Sequence, residues 1–131
     1  MLTFVYKYAA VLCACWAGVI FILCATPGQY IPGVHWLDLL SFDKWVHASV
    51  FFILMVLGGL AATRKNSRSP LLWLCFLAFV LYGMLLEYMQ GACFSNRSAD
   101  WKDIIANSFG CVVGLLSLRT IRARCFAEQK P

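Results

Sequence analysis

From Val5 to Ala25 the chain carries a single charge, Lys7, along a run long enough to cross the ~30 Å hydrocarbon layer of a bilayer. Three more apolar runs follow, at about residues 45–62, 71–88 and 104–118. Hydrophobic residues make up 62% of the sequence and charged residues 13%, where a soluble domain carries about 25% charge, so the chain needs an apolar solvent. The expected fold is all-α: an integral membrane four-helix bundle, formed by one domain over residues 1–131. The fourth run is short at fifteen residues, so its ends or a locally thinned bilayer must absorb the mismatch. A cleaved signal peptide is the alternative for the first run, which is long for a signal's apolar region. A lipoprotein signal ending at Cys24 is disfavoured by the bulk of Leu23 before it.

Between the first two runs, residues 26–42 hold Pro27, Gly28, Pro32 and Gly33, then Trp36, Leu37, Leu39 and Leu40 around Asp38. This segment is too interrupted to span and is expected to lie along the interface, with Trp36 at headgroup depth. Arg64 to Pro70 form a basic turn, and the tail with Arg119, Arg122, Arg124 and Lys130 is basic and expected to fray in part. With four spans, both ends and the turn at 63–70 share one side. That side carries eight of the eleven cations and one acid, Glu128; the other carries Lys44, Arg97 and Lys102 with Asp38, Asp43, Glu87, Asp100 and Asp103. A balance of +7 against −2 puts both termini in the cytoplasm by the positive-inside rule. The net charge of +5 is thus a topology signal, and no nucleic-acid partner is expected. Tyr88, Trp45 and Trp101 then fall at the outer interface. Of seven cysteines, only Cys93 lies in a loop facing an oxidising compartment, and no CxxC pair supports a disulfide framework or a zinc site.

The polar residues at the outer edge of the spans carry what chemistry there is. The second span begins with Asp43, Lys44 and His47, the third ends with Glu87 and Gln90, and the fourth begins with Asp103 and Asn107. Spacings of three or four put each helix's residues on one face, so three helices offer a polar patch at one membrane depth. Glu87 follows Leu85 and Leu86 with no neighbouring cation; an ionisable group at that depth faces the bundle interior and finds a partner, for which Arg97 and Lys44 are available. Three carboxylates against two cations nearly cancel, and those cations argue against a metal site built from Asp43, His47, Glu87 and Asp103. Plainer readings stand beside each of these. Asp43 and Asp103 suit capping at helix N-termini, and Lys102 and Asp100 read as solvated boundary charges. His47 is equally a structural histidine or a proton carrier, and Glu87 with Arg97 equally a fold-fixing ion pair or a site. Gln90 and Asn107 read first as packing hydrogen bonds. Gly110 and Gly114 make a GxxxG step, and Gly58, Gly59 and Gly83 permit close helix approach, Gly83 one turn from Glu87.

Asp43-Lys44-x-x-His47, Gly83-x-x-x-Glu87-x-x-Gln90, Arg97, and Asp103-x-x-x-Asn107-x-x-Gly110-x-x-x-Gly114 together resemble the VanZ-like family of small bacterial membrane proteins, over about residues 40–115. The resemblance implies a multi-pass protein of the bacterial cytoplasmic membrane. It takes its name from a protein that raises resistance to teicoplanin, a lipid-tailed antibiotic acting at the outer face of the membrane. The shared depth of the cluster residues points to a membrane lipid or a lipid-linked envelope component as partner, with Arg97, Lys44 and His47 meeting its anionic or polar headgroup. Two other readings remain. One is an enzyme acting on such a headgroup with Glu87 and His47 as acid and base; the other is a purely structural ion-pair network. No nucleotide loop, nucleophile elbow or cofactor motif is present, so no cofactor is expected.

Overall fold

Each of the four apolar runs is helical. A computed structural model describes residues 2–26, 42–64, 70–94 and 98–127. Its helices are α1 (Leu2–Ala25), α2 (Phe42–Ala62), α3 (Leu71–Ala92) and α4 (Trp101–Ala127), and among the described residues there is no strand. All four are long and apolar enough to cross a membrane, over Phe4–Ala25, Asp43–Ala62, Leu71–Ala92 and Trp101–Cys125. The expected interfacial segment, most of the basic turn, Arg97 and Lys130 lie outside the described residues.

The last helix extends beyond its apolar run at both ends. α4 is 27 residues long, about 40 Å at 1.5 Å per residue, so no thinning of the bilayer is needed to accommodate it. The part of the tail holding Arg119, Arg122 and Arg124 continues the helix to Ala127. The apolar run ends at Leu118, but arginine is a good helix former and its long side chain can reach the interface from a buried backbone.

Helix direction follows from the contacts. Asp103 meets Lys44, Gly110 lies against Ala48 and Phe52, Gly114 against Met55, and Leu118 against Gly59, so α2 and α4 run parallel. Tyr82 donates from its hydroxyl to the Ala17 carbonyl at 2.8 Å, and Trp16 donates from Nε1 to the Val50 carbonyl at 2.9 Å. These register α1 beside α3 in one direction and antiparallel to α2. They also satisfy the polar tips of two side chains that would otherwise lie bare in hydrocarbon.

α2 and α4 share the most extensive helix–helix contact in the molecule. Gly110 makes it possible: a Cβ there would overlap the Ala48 carbonyl oxygen and stand 3.0 Å from the Phe52 nitrogen. At Gly114 a Cβ would lie 2.9 Å from that of Met55. The GxxxG step is therefore a backbone contact face. Around it Phe51, Leu54, Met55, Leu86, Ile20 and Cys111 form the larger core, and Tyr6, Ala9, Leu60, Leu118 and Cys125 a second one at the opposite end of the bundle from Lys44. The outside is apolar, with Leu74, Leu77, Leu81, Phe109 and Leu116 exposed, while Glu87, Gln90, Asp103 and Asn107 are buried inside. That inversion of a soluble protein's pattern is what a lipid solvent demands.

Candidate functional site

The parallel course of α2 and α4 brings their N-terminal turns side by side, and α3, running the other way, adds its C-terminal turn. Asp43, Lys44, His47, Glu87, Gln90, Asp103 and Asn107 thus come to one end of the bundle. The start of α4 decides how. Asp100 accepts the Lys102 N–H on Oδ1 at 2.9 Å, and its carbonyl accepts the Asp103 N–H at 2.9 Å; it is the N-cap of α4. Asp103, freed from capping, turns its carboxylate inward.

Lys44 gathers three acids. Its Nζ donates to Asp43 Oδ2 at 2.9 Å, to Asp100 Oδ2 at 2.8 Å and to Asp103 Oδ1. The ammonium on Asp100 is the main reason its carboxyl is held below the ordinary aspartate range, with the Lys102 N–H adding to it. Asp43 remains largely exposed, so of the three it contributes least.

Glu87 is almost fully buried, at 1% exposure, and Lys44 does not reach it. Its Oε2 accepts the Asp100 backbone N–H at 3.2 Å. Gln90 lies one turn on. With its amide nitrogen toward Glu87 it donates to both carboxylate oxygens at 3.2 Å; the opposite orientation gives a 3.4 Å bond to the Cys24 carbonyl but faces its oxygen to the carboxylate. The first orientation is assigned, because it replaces an acceptor–acceptor clash with charge-assisted hydrogen bonds.

His47 stands between the helices. Its Nδ1 is 3.1 Å from Asn107 Oδ1 and 4.0 Å from Glu87 Oε1, while Nε2 is 3.7 Å from Asp103 Oδ2. Gly83 lets Asn107 into this position: a Cβ on it would be 3.2 Å from the Asn107 Cβ and 3.3 Å from its Nδ2. The imidazole is therefore held by an amide and faces two carboxylates, an arrangement suited to moving a proton or to sharing a cation.

One expectation changes. Asp100 is no solvated bystander; it caps α4, pairs with Lys44 and donates to Glu87. Asp100 followed three residues later by the acid Asp103 resembles a capping box, and that was the available signal. Lys44 meets Asp43, Asp100 and Asp103, and the second cation of the expected charge balance, Arg97, is not among the described residues. Lys102 is exposed, as a boundary charge should be.

Beside the cluster, an open groove of about 270 Å³ runs between α2 and α4. Lys44 and Lys102 stand in its lining with Trp45, Ile105 and Phe109. None of the seven cysteines is in a disulfide, and Cys93 is among the exposed ones.

No match was found among curated proteins, and none among solved structures. A family model described as VanZ/LLP1 matches residues 9–122, which takes in all the described cluster residues and parts of all four helices. With that match over most of its length, the chain is a member of the VanZ/LLP1 family.

Proposed function

We propose that this protein sits in the bacterial cytoplasmic membrane with both ends inside, and that its polar cluster faces the outer leaflet. There it binds a lipid-linked or lipidated envelope ligand and contributes to teicoplanin resistance. The observation that supports this is the α2–α4 groove. Its Trp45, Ile105 and Phe109 suit an acyl chain, and Lys44 and Lys102 suit an anionic headgroup. A ligand with both parts could enter sideways from the bilayer and bring its headgroup against Lys44, His47 and the acids behind them.

The test is a susceptibility panel of lipid-tailed and plain glycopeptides in a sensitive host, comparing empty vector, wild type and Glu87→Gln at matched membrane abundance. Selective protection against teicoplanin by wild type, lost in Glu87→Gln, is the expected result. Protection by neither, or by both equally, counts against the cluster as a resistance site.

The place of His47, 4.0 Å from Glu87 and 3.7 Å from Asp103, supports a second reading, acid–base chemistry on the headgroup. Headgroup product released by wild type, with Glu87→Gln binding the lipid but releasing none, distinguishes it from binding alone.

A further inference from the structure

We propose that His47, Glu87 and Asp103 form a binding site for one divalent transition cation of the Zn²⁺ or Mn²⁺ type. Each offers one ligand atom, and these atoms all lie within 4.8 Å of one another. They come from three different helices, so only the folded bundle assembles them.

The arrangement has the features of a metal site beyond the three ligands. In the tautomer of His47 that donates from Nδ1 to Asn107 Oδ1, the Nε2 lone pair faces Asp103 Oδ2, 3.7 Å away. Two acceptors facing each other at that distance repel unless a positive charge lies between them. Two ligands at about 2.1 Å from one ion stand at most about 4.2 Å apart, so this pair already fits, and the widest pair needs to close by less than an ångström. Asn107 supplies the hydrogen bond that fixes a ligating imidazole's tautomer, and the Asp100 N–H and the Gln90 amide orient the Glu87 carboxylate. One imidazole nitrogen with two carboxylate oxygens is a mixed donor set, which favours Zn²⁺ or Mn²⁺ over the soft-ligand metals.

Of the two cations that weigh against a metal, Arg97 lies outside the described residues and Lys44 leaves one oxygen of Asp103 open. The ammonium holds Asp103 by Oδ1, whereas Oδ2 faces His47. Asp103 shares the Lys44 ammonium with Asp43 and Asp100, and Glu87 has no ammonium within ion-pair reach among the described residues. A divalent ion between His47, Glu87 and Asp103 supplies positive charge to both carboxylates at once. Glu87, buried and beyond the reach of Lys44, benefits most from the ion.

The test uses the full chain in lipid nanodiscs, stripped with chelator and dialysed against Zn²⁺ or Mn²⁺, with bound metal counted by elemental analysis. Expected are one ion per chain, at least tenfold weaker binding in His47→Gln and Glu87→Gln, and unchanged binding in Arg119→Gln at the far end of α4. Asn107→Ala, which keeps all three ligands, should weaken binding about tenfold through loss of the imidazole's anchor. Thermal melting of each metal-free variant identifies any that fail to fold, and Asn107→Ala then decides the matter. Absence of stoichiometric binding, or wild-type affinity in the folded variants, overturns the proposal; metal-free protein with a protonated His47 that takes up no ion would show that a proton fills the place instead. The inference is independent of the ligand proposed above: an ion bound without antibiotic protection leaves it standing.

Discussion

Lys44 holds Asp100 from one side while the first turn of α4 holds it from the other, and the two bonds use different oxygens. Replacing Asp100 with Ala removes both, so the variant should melt lower than wild type in detergent. Asp100→Asn keeps a capping oxygen and should recover most of the loss. The remaining difference between wild type and Asn is the charge on Lys44. Because the folded carboxyl is held below its ordinary value, that contribution is complete above the ordinary aspartate range. It disappears as pH falls through the lowered value. Melting measured across pH should therefore show a constant gap between wild type and Asp100→Asn from neutral to mildly acidic solution, closing only in stronger acid. A gap that closes while the pH is still above the ordinary aspartate range would contradict the assigned pairing. Sequence spacing could align His47 with Asp43, Glu87 with Gln90 and Asp103 with Asn107, because helical periodicity is local. It could not say that Lys44 would choose Asp100 over Glu87, because that choice depends on where the α3–α4 connection returns the chain.

At the scale of helices, the α2–α4 contact controls how closely the His47 and Asp103 backbones approach. Adding a methyl group at Gly110 drives a Cβ into the Ala48 carbonyl, which belongs to rigid helix backbone and cannot turn aside. Gly110→Ala is expected to destabilise the bundle by about 1–3 kcal/mol, the usual cost of overpacking, and to lower folded yield in gentle detergent. Gly18→Ala is the matched control, since nothing lies within 4 Å of a Cβ there; it should be neutral or slightly stabilising through helix propensity alone. Equal melting of the two variants would show that the α2–α4 contact is looser than described. The glycines were visible in the sequence as a GxxxG step, but that pattern is common in membrane helices and does not name its partner. Helix limits were legible only where apolarity and helicity end together. In α4 they part company: apolarity stops near Leu118, while hydrogen bonding and arginine propensity carry the helix to Ala127.

Over the whole molecule, charge and polarity divide between the two ends of the bundle. Lys44 and the four carboxylates gather at one, while Lys7, Arg64, Arg119, Arg122 and Arg124 belong to the other, where Tyr6 donates to the Arg64 carbonyl at 3.2 Å. The start of α1 and the end of α4 meet there, through Tyr6, Ala9, Leu118 and Cys125. This division was readable from sequence because the rule of alternating spans converts linear order into side. The side itself depends on the membrane, so it must be measured. Cys93 makes the measurement possible: it follows α3 at the cluster end and is exposed, whereas Cys111 and Cys125 are buried. A membrane-impermeant maleimide should label Cys93 in intact cells, and Cys93→Ser should abolish that labelling. In the Cys93→Ser background, Arg64→Cys should react only after permeabilisation. Thiols along the lipid-facing helices, such as Cys15, should stay unreacted in both conditions because a charged, water-soluble reagent does not enter hydrocarbon. The reverse pattern, Arg64→Cys labelled from outside and Cys93 protected, would place the cluster in the cytoplasmic leaflet. The groove and its lysines would then face internal lipid headgroups, out of reach of an antibiotic that acts on the outer surface.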